Sequence, residues 1–165
     1  MLEVHVMEAE KRVLGEEHLD TLTSMANLAS TYSNQGIWNE AEKLELQVIE
    51  AEKRVVGQEH PSTLTSMANL AMTFWNQGRW KEVENLELQV MEARKRVLGL
   101  EHPDTLTSMA NLALTYKAQG VIDTAISLMA QVVPLRSCLL GGNHPDTRDS
   151  LRFLMEWKGE VDASI

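Results

Sequence analysis

Four histidines, His18, His60, His102 and His144, stand 42 residues apart in one recurring context: EHLDTLTSMANLA, EHPSTLTSMANLA, EHPDTLTSMANLA and NHPDTRDSLRFL. Imidazole is the commonest zinc ligand, so the column first suggests a metal ladder. Distance argues against it. Successive copies lie roughly a helix diameter, about 10 Å, apart, whereas zinc holds its ligands at about 2 Å. Each histidine is therefore expected alone at a helix start, as a cap or packed on the preceding loop. Three asparagines, Asn27, Asn69 and Asn111, form a second column, flanked by the small residues Ala26, Ala68 and Ala110. A carboxamide both donates and accepts, which suits it to hold a peptide backbone without reading its sequence. It suits equally a hydrogen bond to a neighbouring helix that fixes stacking, and from sequence both roles stand. Cys138 is the one cysteine, so there is no internal disulfide and no multi-cysteine metal site. No nucleophile stands with a base, no carboxylate pair suggests a closed pocket, and no GxxxxGK[ST] occurs. No enzymatic activity, metal or cofactor is expected.

These columns imply elements that repeat. Residues 18–59 and 60–101 are identical at 29 of 42 positions, and residues 102–120 retain 14 of the 19 positions of 60–78. Each repeat divides into two helical stretches. In PSTLTSMANLAMTFWNQG, Met67, Leu70, Ala71 and Phe74 recur at the helical period. Pro61 and Pro103 suit a first helical position, and Gly36, Gly78 and Gly120 suit the stop. In WNEAEKLELQVIEAEKRVVG, Ala41, Leu44, Val48, Ala51 and Val55 make the apolar stripe, and Gly57, Gly99 and Gly141 close the helix and its copies. Short connections make neighbours antiparallel. The reading is all-α: an αα-hairpin solenoid of about eight helices. It has an orphan second helix at 2–15, repeats at 18–57, 60–99 and 102–141, a terminal capping helix at 144–158 and a tail at 159–165. Residues 2–15 (LEVHVMEAEKRVLG) match 86–99 (LELQVMEARKRVLG), so the chain begins inside a repeat and reads as a fragment of a longer array or a truncated product. Pro134 is expected to kink or end its helix. Arg148, Asp149 and Arg152 suit a cap whose outer face meets water.

Composition narrows the function classes. The chain has 165 residues, 44% of them hydrophobic and 24% charged, which is a globular composition. Aromatics at 5%, with 9 Gly and 4 Pro, argue against a sandwich or barrel. A net charge of −9, from 15 basic and 24 acidic residues, argues against a nucleic-acid partner. No apolar run approaches a membrane span, and MLEVHVMEAEKR is no signal peptide. A cytoplasmic setting is expected. The glutamates of the second helices (Glu40, Glu42, Glu45, Glu50, Glu52; Glu82, Glu84, Glu87, Glu92) are expected on a solvated face. Glu50–Arg54 and Glu92–Arg96 are spaced for i,i+4 pairs.

The phrase VVGQEHPSTLTSMANLAMTFWNQGRWKEVE at 55–84 resembles the 42-residue tetratricopeptide repeat of the kinesin light chain type. It resembles in particular the regular arrays at the C-terminus of fungal NACHT or NB-ARC immune-type receptors. The resemblance covers 2–158. It implies a right-handed superhelix whose first helices line a concave groove, a protein or peptide ligand, and an asparagine that clamps the ligand backbone. In a larger receptor such an array is the sensing part. Repeat three departs from the pattern, with VIDTAIS where repeat two has RWKEVEN, and the groove lacks the basic set that holds a C-terminal carboxylate.

On this register the expected groove comprises Thr23, Asn27, Ser30 and Asn34 in repeat one and Thr65, Asn69, Met72 and Asn76 in repeat two. Repeat three adds Thr107, Asn111 and Leu114. Such a surface is neutral and suits an extended segment with small or apolar side chains; Met72 and Leu114 also fit ordinary interhelix core. Trp38 and Trp80 are expected to wedge between helices, and Trp157 to pack terminally. Trp75, aligned with Ser33 and Lys117, is expected at least half exposed and a possible partner anchor. Against the scaffold reading stands a self-assembly reading. Leu2, Val4, Val6, Met7 and Val13 form a stripe with no covering helix, so a homodimer through the N-terminal helix 2–14 is expected.

Overall fold

The computed structural model describes residues 2–163. Among them are eight helices and no strand: α1 (Leu2–Val13), α2 (Leu19–Asn34), α3 (Trp38–Val55), α4 (Pro61–Asn76), α5 (Trp80–Leu98), α6 (Pro103–Ala118), α7 (Ile122–Leu140) and α8 (Pro145–Asp162). The chain divides into two compact units, one running to Leu86 and one starting at Glu87, so that the division falls within α5. In the first unit α1 packs on α2, α2 on α3 and α3 on α4; in the second α6 packs on α7 and α7 on α8.

The boundaries follow from local chemistry. At the start of α2, α4, α6 and α8 the histidine Nδ1 accepts the backbone N–H of the residue two places on. The acceptors are His18, His60, His102 and His144, at 3.3, 3.2, 3.1 and 3.3 Å. Each imidazole thus replaces the serine or aspartate usual at an N-cap, satisfying a donor the helix cannot. Accepting at Nδ1 leaves the ring proton on Nε2. The α2–α3 turn shows why glycine follows: Gly36 has φ +76°, and Ile37 N–H reaches back to Tyr32 C=O at 2.9 Å. That left-handed position closes the last turn at little cost only without a Cβ.

In the first unit Leu22 and Met25 of α2 pack on Val48 and Ala51 of α3, with Met7, Ala26 and Leu44 around them. In the second, Leu106, Leu112, Met129, Val132, Leu154 and Trp157 belong to one apolar cluster, and Trp157 stacks on Phe153 at 5.8 Å. Burying each such side chain contributes about 1.5–3 kcal/mol before conformational entropy is subtracted.

Several expectations are corrected. Pro134 does not end α7, which runs on to Leu140. The exposed proline removes one N–H, while Val132 and Arg136, buried on either side, keep the helix docked. Helix α8 continues to Asp162, through part of the stretch read as a tail. Arg54 does not pair with Glu50. It donates to Glu17 of the preceding loop at 2.7 Å, and Glu50 takes Lys53 at 3.2 Å. Trp38 is exposed, whereas Trp80 is partly buried. Glu45 and Glu52 are buried in α3, not solvated.

Candidate functional site

The candidate residues lie on the first helices of the repeats. In the first unit α2 carries Thr23, Asn27, Ser30 and Asn34, and α4 carries Thr65, Asn69, Met72 and Asn76. All are exposed except Ser30 and Asn69, which are half-buried. Met72 is therefore surface and not core. Thr23 and Thr65 are less available than their positions suggest: each hydroxyl donates to the carbonyl four residues back, Leu19 and Pro61, at 2.9 Å. Their remaining capacity is as acceptors. Trp75 is partly buried and not half exposed, because it meets Trp80 edge-on at 4.8 Å and 84°. Beside it the Arg79 guanidinium lies 3.9 Å from the centre of the Phe74 ring and donates to Glu42 at 2.7 Å.

In the second unit Thr107, Asn111 and Leu114 of α6 line a cavity of about 210 Å³ together with Arg136 of α7 and Asp149, Ser150 and Phe153 of α8. Leu114 packs on the core there and still forms part of the cavity wall, so core and groove were not exclusive readings. Arg136 is the residue that the sequence did not mark. It is buried and donates to Ser150 Oγ at 2.8 Å, to the Asp146 carbonyl at 3.2 Å and to Thr107 Oγ1 at 3.2 Å. Burial lowers its pKa, and Asp146 counters the shift. A cavity of this size takes a single side chain, and its wall offers the Arg136 cation, the acidic residues Asp146 and Asp149, the Asn111 carboxamide and the Phe153 ring.

The asparagine column is the feature common to both units. Among the described residues the side chains of Asn27, Asn69 and Asn111 make no hydrogen bond within the chain. Asn27 is exposed, and Asn69 and Asn111 are half-buried.

Beneath these surfaces lies a polar layer hidden by the sequence pattern. Thr73 Oγ1 donates to Glu45 at 3.1 Å, and Thr115 Oγ1 donates to Glu87 at 2.5 Å. Burial pushes each carboxyl from 4.5 up to about 7, and the threonine hydroxyl partly opposes the shift. The signal was the spacing: Ala41, Glu45, Val48, Glu52 and Val55 run at intervals of 4, 3, 4 and 3 along one face. Further along the second helix, Glu52, Arg94 and Arg136 are equivalent residues. Each meets a serine of the following first helix, Ser66, Ser108 or Ser150. Four buried threonines, Thr21, Thr63, Thr105 and Thr147, follow the histidine caps, and Thr63 donates to the Gly57 carbonyl at 2.8 Å.

A larger cleft of about 430 Å³ lies elsewhere in the first unit, lined by Lys11, Glu16, Glu17, Leu22, Glu50 and Arg54 among others. No candidate residue lines it. Its lining carries two ion pairs, Lys11–Glu16 and Arg54–Glu17, each at 2.7 Å. Among the described residues no three histidine, cysteine or acidic side chains could share a metal, and no helix is long and apolar enough to cross a membrane.

Comparison with known proteins agrees with this architecture. The tetratricopeptide repeat family profile matches residues 21–62, 63–104 and 105–146. No curated protein sequence matches. Two crystal structures from Podosopora anserina, described as a kinesin light chain with nearly identical TPR-like repeats, are each 31% identical over 98% of this chain and 78% of their own. The TM-score is 0.84 for the one that carries a point substitution and 0.83 for the other. BtubC (BKLC) from P. vanneervenii, at 18% identity over 86% of this chain and 57% of its own, shares the fold with a TM-score of 0.78. The chain therefore belongs to the tetratricopeptide repeat family, with 42-residue repeats of the kinesin light chain type, a family whose repeats generally mediate protein–protein interaction.

Proposed function

We propose that the chain is a protein-interaction scaffold that binds an extended peptide or protein segment on the first-helix face of its repeats. The observation that carries this reading is the asparagine column: three carboxamides at one register position, accessible and without a partner in the chain. A side chain whose task was stacking would have its hydrogen bonds satisfied by the neighbouring helix. Asn27, Asn69 and Asn111 hold backbone amides and carbonyls of the ligand. Met72 and Leu114 offer apolar contact, and Trp75 presents an edge to a partner. In a longer receptor of the fungal immune type, this capture is the sensing step, in the cytoplasm. The test begins by selecting short peptides, about a dozen residues long, on the wild-type chain from a displayed library. The best of them is then titrated by fluorescence anisotropy against wild type and the N27A/N69A/N111A variant. Affinity should fall at least tenfold with an unchanged circular dichroism spectrum; equal affinity for a folded variant would reject the reading.

A second reading, self-assembly, rests on α1, which buries none of its residues. On this reading Leu2, Val6 and Val13 meet their copies in a homodimer through helix 2–14.

A further inference from the structure

The cavity walled by α6, α7 and α8 differs in kind from the same positions of the first unit. Two repeats back, Arg136, Asp149, Phe153 and Leu114 become Glu52, Thr65, Asn69 and Ser30. Thr107, Asn111 and Ser150 keep their types as Thr23, Asn27 and Ser66. The hydrogen-bonding column is thus common to both units. The cation, the acid and the apolar wall set this cavity apart from the first unit. Its polar groups are not equally free. Arg136 is 7% exposed, and its Nη1 and Nη2 already donate to Ser150 Oγ, the Asp146 carbonyl and Thr107 Oγ1. It is a fixed positive wall and not a hook for an incoming anion. Thr107 Oγ1 accepts from Arg136, whereas Thr23 and Thr65 donate to the carbonyl four residues back, so the Thr107 proton remains to be donated. Asp149 gives Oδ1 to Arg152 at 3.1 Å, which leaves Oδ2 to accept. The Asn111 carboxamide is uncommitted among the described residues.

We propose that this cavity receives a carboxamide, the side chain of a glutamine or asparagine in the bound segment. The ligand oxygen accepts from Thr107, and the ligand NH2 group donates to Asp149 Oδ2. Its methylenes lie against Leu114 and the Phe153 ring, which Trp157 backs at 5.8 Å. Other side chains fit the wall less well. A carboxylate of the same shape brings a third acid beside Asp146 and Asp149 while Arg136 is already committed. An ammonium would lose its hydration beside the Arg136 cation. An aliphatic group would cover Thr107, Asn111 and Asp149 without replacing their water. The inference rests on the peptide-binding reading and adds which side chain is read, and where.

Dodecamer peptides selected on the wild-type chain from a displayed library supply the probe. They should share a glutamine or asparagine at one position. Changing it in the peptide to the matching acid should weaken binding to wild type at least about tenfold by fluorescence anisotropy. D149N, at an exposed position, removes one of the opposing carboxylates and should bring the acid peptide to within about threefold of its amide parent, with an unchanged circular dichroism spectrum. Selected peptides with no shared carboxamide overturn the proposal, as does an amide-to-acid ratio that is the same for D149N and wild type. N27A/N69A, outside the cavity, separates this result from the groove reading. If that variant loses affinity while D149N leaves the ratio unchanged, the groove stands and the carboxamide site falls. If N27A/N69A binds as wild type does while D149N collapses the ratio, the site stands without the asparagine column. A library that yields no binder overturns both.

Discussion

In the unit that runs to Leu86, Glu45 of α3 accepts the hydroxyl proton of Thr73 of α4, 28 residues on. The unit that starts at Glu87 keeps one copy of that pair, Thr115 on Glu87, but in its next repeat Met129 of α7 and Trp157 of α8 hold the same two positions, inside one apolar cluster. The repeat geometry therefore accommodates either a carboxylate with a hydroxyl or a thioether with an indole. The energetics differ. A buried carboxyl loses hydration that one hydroxyl only partly replaces, and Glu45 Oε2 has no partner. Met129 and Trp157 lose little hydration and gain dispersion contacts. The first layer makes stability depend on pH; the second adds stability without that dependence.

Truncation should separate the two layers most clearly. Trp157→Ala is expected to cost about 3–5 kcal/mol, the range for a large aromatic removed from a core. Thr73→Ala should cost about 1–3 kcal/mol, the cost of leaving a buried acceptor unsatisfied. Urea unfolding of both variants measures the gap, and a larger loss for T73A would invert the comparison.

The next effect concerns pH. The folded carboxyl of Glu45 titrates at about 7 against an ordinary 4.5, so the native state holds a proton that the unfolded chain has released. Its contribution to stability is therefore undiminished below pH 4.5, declines as pH rises, and is lost above pH 7. Glu45→Gln, which keeps an acceptor for Thr73, should match wild type near pH ~4 and exceed it by about 1–3 kcal/mol at pH ~8. A gap of the same size at both pH values would contradict this account. Met129 offers no titrating group.

The smallest effect should be equal in the two units. His60→Ala and His144→Ala each remove one N-cap acceptor and should each cost about 1 kcal/mol. Thermal melts showing a several-fold difference between them would mean that the units differ in more than the layer at Glu45 and Met129.

The helices, their glycine stops and the capping histidines were legible in the sequence because each rests on local chemistry repeated at 42-residue spacing. Glu45 and Glu52 were hidden because the second helix packs on two first helices, its own and the next. The neighbours of α3, for instance, are α2 and α4, so its buried arc is wider than an apolar stripe reveals. The two tryptophans at equivalent positions diverge for a similar reason. Trp80 has Trp75 against it, but the residue matching Trp75 in the preceding repeat is Ser33, too small to cover Trp38. The asparagine column could be named from sequence, but its lack of internal partners needed coordinates. Arg136 gave no signal at all, since its role depends on a serine 14 residues away and on Thr107, 29 residues back.

The serines that follow each second helix have a consequence for how such a gene changes. Ser66 donates to Glu52, whereas Ser108 and Ser150 accept from Arg94 and Arg136. A hydroxyl serves either sign of charge by rotating its proton. A 42-residue unit inserted or deleted in such an array would therefore still set a serine hydroxyl against whichever charge the new neighbour brings. The length of the array is free to evolve faster than the contacts that hold it.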